Sequence, residues 1–88
     1  MAWTINYTDT ARRLLRKMDR NIARKILDYM DYHIAVLSDP RQLGKSLKGP
    51  LDEYWRYRIG DWRIICDIQD DDLCVLVVRI GNRREIYR

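Results

Sequence analysis

The sequence has little of the chemistry that most enzymes use. Its 88 residues include one histidine, His33, and two cysteines, Cys66 and Cys74. It has no glycine-rich phosphate loop, no cysteine and histidine spacing typical of zinc sites, and no serine–histidine–aspartate set. These familiar metal-binding and nucleophilic sites are therefore excluded, and we expect a protein that works without a cofactor.

Long apolar runs are also missing. No run approaches the roughly 18 residues that a membrane span requires, and no signal peptide precedes the first strand-like segment. Cys66 and Cys74 lie in strand-like segments, and we expect them to be buried free thiols of a reducing compartment. The sequence therefore predicts a cytoplasmic protein without membrane association.

Arginine is the residue that the chain has in excess. The 17 basic residues outnumber 13 acidic ones, which gives a net charge of +4, and every basic residue after Lys48 is an arginine. Guanidinium groups bind phosphates through paired hydrogen bonds and stack on bases, so this bias favours a nucleic-acid partner. With 47% apolar residues, the length predicts a single folded domain over residues 1–88.

Residues 54–68 predict a β-hairpin with an unusual charge arrangement. Gly60 and Asp61 would form its two-residue turn, which sets Arg58 directly opposite Arg63 and leaves Arg56 on the same face. The other face would be apolar, formed by Trp55, Tyr57, Ile59, Trp62, Ile64 and Cys66. Opposed like charges destabilise a sheet. A polyanion bound to this face would explain the three arginines; alternatively, their side chains simply extend into water.

Two helices are predicted before the hairpin. After a short alternating strand at residues 2–7, Thr8 is a good N-cap for a helix from about Asp9 to Lys17. Asp19 can cap a longer second helix that runs to about Leu37, with His33 on its apolar stripe. We therefore expect two amphipathic helices near the N-terminus.

The remaining strands follow the hairpin. An acidic turn at Asp70–Asp72 leads into a nearly continuous apolar run at residues 73–80, which suits a central strand, and residues 83–88 form a short final strand or tail. Successive strands joined by short turns are antiparallel neighbours. The sequence thus predicts an α+β fold with an antiparallel sheet of four to five strands and the two N-terminal helices packed on one face.

The connection at residues 41–53 is long for a small domain. Three leucines at fourfold spacing predict a loop fixed to the core, with one helical turn at most: Leu43, Leu47 and Leu51. Loops of this length are usually functional or mobile. Lys45 and Lys48 within it either extend the basic face or only keep the loop soluble.

The available groups suit one kind of chemistry. Arginines on a sheet face, an arginine-rich C-terminal segment and Tyr87 can stabilise a dianionic phosphorane and stack a base. RNA cleavage by the 2′-hydroxyl on its own phosphate needs no metal and no protein nucleophile. Asp70–Asp72 could bind a cation, although a tight acidic turn is the more common explanation.

Three segments together resemble a known family: residues 45–49, 54–65 and 78–87. They resemble the RelE/ParE superfamily of type II toxin–antitoxin toxins, and most closely its RelE branch, over nearly the whole chain. The resemblance implies a RelE-like fold, similar to microbial RNases, and a metal-independent mRNA interferase that cuts mRNA in the ribosomal A site. It also implies a cognate RelB-like antitoxin and a higher-order complex that binds operator DNA through that antitoxin.

The resemblance also implies roles for individual residues. Arg63 matches the arginine that stabilises the transition-state phosphate, Arg83 one that contacts phosphate or protonates the leaving group, and Tyr87 the tyrosine that stacks the mRNA. Arg56 and Arg58 replace lysines, one of them a candidate general base; an arginine, with a pKa above about 12, is a poor base, so their role would be electrostatic. Further cations are expected to bind substrate: Lys45, Lys48, Arg79 and Arg84.

Two other functions fit the same fold. A ParE-like toxin would inhibit DNA gyrase without nuclease activity, and an inactive member would serve only antitoxin binding and operon repression. The shared fold cannot separate them, because function depends on the site. The combination of Arg63, Arg83 and Tyr87 favours the nuclease.

Overall fold

Five strands and two helices make up residues 2–82, the part of the chain that the computed structural model describes. In chain order they are β1 (Thr4–Tyr7), α1 (Asp9–Lys17), α2 (Arg20–Tyr29), β2 (Lys45–Ser46), β3 (Trp55–Ile59), β4 (Trp62–Gln69) and β5 (Cys74–Asn82). The predicted final strand or tail at residues 83–88 lies outside this range. Within residues 2–82, no helix has the length and apolarity needed to cross a bilayer.

Both helices begin at the predicted N-caps. The Thr8 hydroxyl oxygen accepts a hydrogen bond from the backbone N–H of Ala11 at 3.2 Å. The Asp19 carboxylate accepts from the N–H groups of Asn21 and Ile22 at 2.8 and 3.3 Å. Each cap satisfies donors that have no partner within the helix. The predicted bounds of α1 are confirmed, because it ends at Lys17.

The second helix changes geometry at its end. A π-helical turn at Met30–Ile34 follows α2, closed by the Ala35 N–H, which donates to the Met30 carbonyl at 2.9 Å. The wider turn keeps Met30 and Ile34 buried but leaves His33 exposed. Its ring packs beside that of Tyr29, with centroids 5.4 Å apart. The second helix therefore ends well before the predicted Leu37, and His33, predicted on its apolar stripe, is exposed.

The strands form one sheet in the order β1-β5-β4-β3-β2. The predicted α+β fold is confirmed, and β5 is a central strand as its apolar run indicated. The sheet is mixed rather than wholly antiparallel, because β1 pairs in parallel with β5 while the other neighbours are antiparallel. The two helices intervene between β1 and the rest of the sheet, which is the type of crossover that parallel pairing requires.

The core lies between the helices and one face of the sheet. Its central members come from both layers: Ala11, Ile26, Met30 and Ile34 from the helical segment, and Tyr57, Ile64, Cys66, Val75, Val77 and Ile80 from the strands. Cys66 and Cys74 are both buried free thiols, as predicted. Cys74 faces away from this core, where its sulfur accepts a hydrogen bond from the Asn6 amide at 3.2 Å.

A β-bulge in β5 changes which of its alternate residues face the core. Ile65 pairs with Arg79 whereas Cys66 pairs with Val77, so Val78 is an extra residue. The bulge lets Val77 remain in the core while Arg79 lies on the other side of the sheet. The Val78 carbonyl accepts the Thr8 hydroxyl at 3.1 Å, which joins the bulge to the start of α1.

The connection between the helices and β3 contains β2, a two-residue strand that pairs with the start of β3. Sequence reasoning did not find it. The prediction that leucines fix this connection to the core is wrong, because Leu43 is 40% and Leu51 54% exposed and Leu47 lines a cleft on the opposite face of the sheet. Hydrogen bonds hold it instead: Pro40 O accepts from the Tyr57 hydroxyl at 2.6 Å, and Leu43 O from the Trp55 indole at 2.7 Å.

Gly44 completes this attachment. Its φ is +79°, and a Cβ at this position would lie 2.5 Å from the carbonyl oxygen of Arg56 and 2.8 Å from the indole nitrogen of Trp55. Glycine therefore provides both the left-handed conformation and the close approach of the two backbones. The connection that carries Lys45 is thus placed firmly against the start of β3.

Candidate nucleic-acid interface

The hairpin has the predicted turn and register. Gly60 has a φ of +58° and Asp61 has no positive φ, as in a type II′ turn with glycine first. Arg58 pairs directly with Arg63, and Arg56 pairs with Ile65. The predicted opposition of two arginines is therefore present in the structure.

The face of the sheet opposite the helices carries five cations in two adjacent rows. The first row contains Arg58, Arg63 and Gly81, and the second runs across four strands through Lys45, Arg56, Ile65 and Arg79. We call the five cations of these rows the cationic face. The members of these two rows between residues 2 and 82 include no acidic residue.

The members of the cationic face differ in exposure. Arg63 is buried, with only 3% of its surface exposed, whereas Arg58 and Arg79 are exposed and Arg56 is intermediate. A buried guanidinium has already lost its rotamer freedom on folding, so it loses little more when it binds an anion. Arg63 is therefore the preorganised cation of this face. Its burial was not evident from the sequence, because alternation alone gives a residue's face and not what covers it.

Two clefts border the cationic face. The larger, of about 760 Å³, is lined by Lys45, Ser46, Leu47, Lys48, Leu51, Arg56, Ile65 and Arg79. The smaller, of about 300 Å³, is lined by Tyr29, Leu43, Gly44, Lys45, Arg56 and Arg58. Lys45 and Arg56 contribute to both. The connection thus brings Lys45 and Lys48 beside the sheet arginines, and of the two roles open for these lysines the structure places them with the basic face.

Three predicted site residues, Arg83, Arg84 and Tyr87, lie outside the described residues. The structure brings the other six together: Lys45, Arg56, Arg58, Arg63 and Arg79 on the sheet, and Lys48 beside it. These positions are adjacent although Lys45 and Arg79 are far apart in the sequence. Their assembly depends on the short strand β2.

The acidic turn at Asp70–Asp72 does not form a cation site. Among residues 2–82, no group of three or more histidine, cysteine or acidic side chains is arranged to hold a metal ion. Asp70 instead accepts two hydrogen bonds from the Arg41 guanidinium, at 2.9 and 2.8 Å. These hydrogen bonds hold the pKa of Asp70 below its ordinary value. The turn thus anchors the connection at Arg41.

Two tyrosine side chains and one cysteine side chain whose pKa is raised lie away from the cationic face. Burial raises the pKa of Tyr7, Tyr57 and Cys66 above their ordinary values, and all three are on the core side of the sheet. The described members of the two rows include no histidine and no carboxylate. The arrangement can therefore bind and stabilise an anion, but within residues 2–82 its rows offer no histidine or carboxylate as general acid or base.

Comparison with known proteins identifies the family. The family model described as the ParE toxin of type II toxin–antitoxin systems, parDE, matches residues 5–87. The chain belongs to the RelE/ParE superfamily of type II toxins. The toxin is 30% identical to Toxin RelG of Mycobacterium tuberculosis over all 88 residues and 99% of that protein. It is 31% identical to Toxin RelE of the same organism, over 92% of this chain and 81% of that one.

Solved structures share the toxin's fold. A chain of the RelBE2 toxin–antitoxin complex from M. tuberculosis matches with a TM-score of 0.84 and 26% identity, over 94% of this toxin and 93% of that chain. The isolated E. coli RelE toxin matches with a TM-score of 0.71 at 13% identity, over 92% and 84% of the two chains. The RelE-like architecture expected from the sequence is confirmed.

Proposed function

We propose that this toxin is a ribosome-dependent mRNA endonuclease that inhibits translation by cutting mRNA in the A site. The observation that carries the proposal is the Arg58–Arg63 pair, set within two rows of cations that contain no acid. Like charges placed opposite each other repel, and a polyanion across the pair offsets that repulsion. RNA in a ribosome presents such a polyanion.

The reaction is attack of the substrate's 2′-hydroxyl on the adjacent phosphorus, which forms a 2′,3′-cyclic phosphate and releases the 5′-oxygen. Arg63, buried and fixed, stabilises the additional negative charge that develops on the phosphoryl oxygens. Arg56 and Arg58 act electrostatically. By the family resemblance, Arg83 contacts the phosphate or protonates the leaving group, and Tyr87 stacks on a base.

Binding of the substrate draws on cations around this centre. Lys45, Lys48 and Arg79 line the larger cleft, and Arg84 joins them by the resemblance. The ribosome helps to hold the 2′-hydroxyl in line with the phosphorus, which accounts for catalysis without a placed base. Free RNA is therefore a poor substrate, and no metal takes part in the step.

A cognate antitoxin neutralises the toxin in the cytoplasm. The related structures from M. tuberculosis and E. coli are toxin–antitoxin complexes. We propose a RelB-like partner whose acidic, amphipathic segment folds as it wraps this basic protein. The resulting higher-order complex binds operator DNA through the antitoxin.

A second function is supported by one comparison. The family model that matches residues 5–87 describes ParE toxins, and a ParE-like toxin would inhibit DNA gyrase without cutting RNA. The same fold serves both, so the family match alone does not decide between them. The curated relatives RelG and RelE and the arginine pair favour the nuclease.

One experiment separates the two functions. Purified toxin is added to a translating extract, the 5′ ends of the mRNA are mapped, and a gyrase supercoiling assay is run with the same preparation. We expect new mRNA ends at A-site codons, far fewer of them with Arg63→Ala, and normal supercoiling. Inhibited supercoiling with intact mRNA would establish the ParE-like function instead.

A further inference from the structure

We propose that the larger cleft is a second phosphate subsite, occupied by the nucleotide that neighbours the scissile linkage, with Arg79 as its specific ligand. The inference rests on the proposed function and deepens it, because it assigns a path to the RNA beyond the reacting phosphate. Nothing in the arginine pair itself requires Arg79, which lies on β5 in the other row.

The spacing of the two rows supports this path. Arg56 and Arg58 are two residues apart on one strand, and Arg63 and Ile65 are two apart on the next. Two residues of a β-strand span about 7 Å, which is the reach of one sugar–phosphate unit in an extended strand. A phosphate held at Arg63 therefore leaves its neighbour within reach of the second row.

The second row presents cations on both sides of an apolar floor. Ile65 lies between Arg56 on β3 and Arg79 on β5, each one strand away, or about 5 Å. Lys45 extends the row on β2. Arg79 is exposed and forms no ion pair with any residue between 2 and 82, so its guanidinium is available to a phosphate.

The cleft also has room and surface for a base. Its apolar wall is formed by Leu47, Leu51 and Ile65, and its described lining contains no carboxylate. Leu51 is 54% exposed, so its side chain is accessible to a base. A nucleotide would place its base on this wall and its phosphate between Arg56 and Arg79.

Continuity with the first row favours RNA over an acidic peptide as the occupant. Arg56 belongs to the cleft and lies on the same strand as Arg58. An RNA strand whose reacting phosphate lies at Arg63 in the first row continues past the second row to the cleft. A peptide in the cleft need not contact the first row at all. The fork of an arginine also fits phosphate oxygens through two parallel hydrogen bonds.

The test determines whether Arg79 contacts one particular phosphate of the mRNA. Ribosomes are programmed with mRNAs in which one linkage at a time, on either side of the scissile one, is a neutral methylphosphonate, and single-turnover cleavage is measured for wild type and Arg79→Gln. We expect the neutral linkage at one neighbouring position to slow the wild type about tenfold, as for loss of one charge-assisted contact. The same linkage should slow Arg79→Gln by less than twofold, because its partner is already gone.

A control variant and a binding assay complete the test. Arg24→Gln changes an exposed arginine on α2, on the other side of the sheet, and should retain the full tenfold penalty. Fluorescence anisotropy of a 2′-O-methylated RNA heptamer should show that Arg79→Gln binds it about fivefold more weakly than the wild type. The slope of log binding constant against log salt concentration should fall in magnitude by about one. Thermal melting of both variants confirms that each is folded.

Each outcome decides the question. Arg79→Gln and a neutral linkage each slow cleavage by some factor. If these factors multiply in full at every linkage tested, Arg79 does not contact any of those phosphates and the cleft is not a phosphate subsite. If Arg79→Gln weakens antitoxin binding but neither RNA measurement, the cleft is a peptide site and the proposal is wrong. If the wild type cuts no ribosome-bound mRNA, the proposed function fails, and heptamer binding alone then decides whether the subsite exists.

Discussion

Arg58 and Arg63 stand directly opposite each other on β3 and β4, yet Arg58 is exposed and Arg63 is 3% exposed. Two identical side chains in one cross-strand pair thus have different surroundings. The exposed member is free to move away from its neighbour, whereas the buried member is fixed. Substitution should therefore separate the role of charge from the role of position.

Replacing Arg58 with Gln should leave the protein as stable as the wild type, or more stable by up to about 0.5 kcal/mol, because an unfavourable cross-strand charge pair is removed. Cleavage should fall, since the substituted face attracts phosphate less strongly. Urea unfolding and single-turnover cleavage measure the two effects. A marked loss of stability would show that Arg58 has a structural partner and would contradict the like-charge explanation.

Replacing Arg63 with Ala should lower single-turnover cleavage by about a hundredfold or more, the size expected when one preorganised transition-state contact is lost. Arg83→Ala should have an effect of the same order. Ribosome binding should barely change, because it draws on basic surface spread over the molecule. Arg24→Ala on α2 is the matched control and should cleave normally. Full activity in Arg63→Ala would refute the proposed mechanism.

Replacing Gly44 with Ala should destabilise the fold by about 2–4 kcal/mol, the sum of overpacking and left-handed strain. The added Cβ would meet the Arg56 carbonyl at 2.5 Å. Gly49 provides a matched control, because its φ is +74° but a Cβ there has no atom within 4 Å. Gly49→Ala should thus cost only about 1 kcal/mol in urea unfolding. Equal costs would mean that the contact with β3 is unimportant.

Alkaline pH should destabilise the protein. Burial raises the pKa of Tyr57 in the folded state, while the unfolded side chain ionises near pH 10. The resulting stability is fully present below about pH 10 and is lost as the pH rises towards the folded-state pKa. Tyr57→Phe removes the hydrogen bond to Pro40, which costs about 1 kcal/mol at neutral pH.

The same variant should reduce the alkaline slope of stability by up to about 1.4 kcal/mol per pH unit. Urea titrations between neutral pH and pH 11 measure this slope. Tyr32→Phe is the control, because Tyr32 is 70% exposed and should lose stability with pH as the wild type does. Identical slopes for Tyr57→Phe and wild type would show that ionisation of Tyr57 does not cause the alkaline loss of stability.

Association with the antitoxin should depend strongly on salt. The helices expose many cations on one side of the molecule, including Arg12, Arg16 and Arg20, and the cationic face lies on the other. An acidic partner is steered by these charges, and salt screens such steering. Stopped-flow association rates should fall steeply from low to high salt while dissociation changes little. An association rate insensitive to salt would count against an acidic partner.

Local patterns in the sequence predicted the hairpin correctly. The turn at Gly60 and the alternation of side chains set the register of Arg58 and Arg63, because both depend only on neighbouring residues. The caps at Thr8 and Asp19 were evident for the same reason. The type of face was therefore predictable, and so was the presence of arginines on it.

Features that depend on distant contacts could not be predicted. β2 has only two residues and exists because Gly44 lets the connection approach β3. The π-helical turn that exposes His33 has no local signal in an otherwise helical pattern. Likewise, the joining of Lys45 to Arg79 in one row requires four strands. The sequence therefore predicted which residues lie on this face, whereas it did not predict the cleft beside them.

The parallel pairing of β1 with β5 has a consequence for the order of folding. Thr4 pairs with Cys74, so this contact closes a loop of most of the chain, whereas β3, β4 and β5 are joined by short turns. Loop-closure entropy favours the short closures first. We therefore expect the meander that presents the arginines to form before β1 pairs with β5. On this expectation, the arginines of β3, β4 and β5 come together before the β1–β5 pairing closes the sheet.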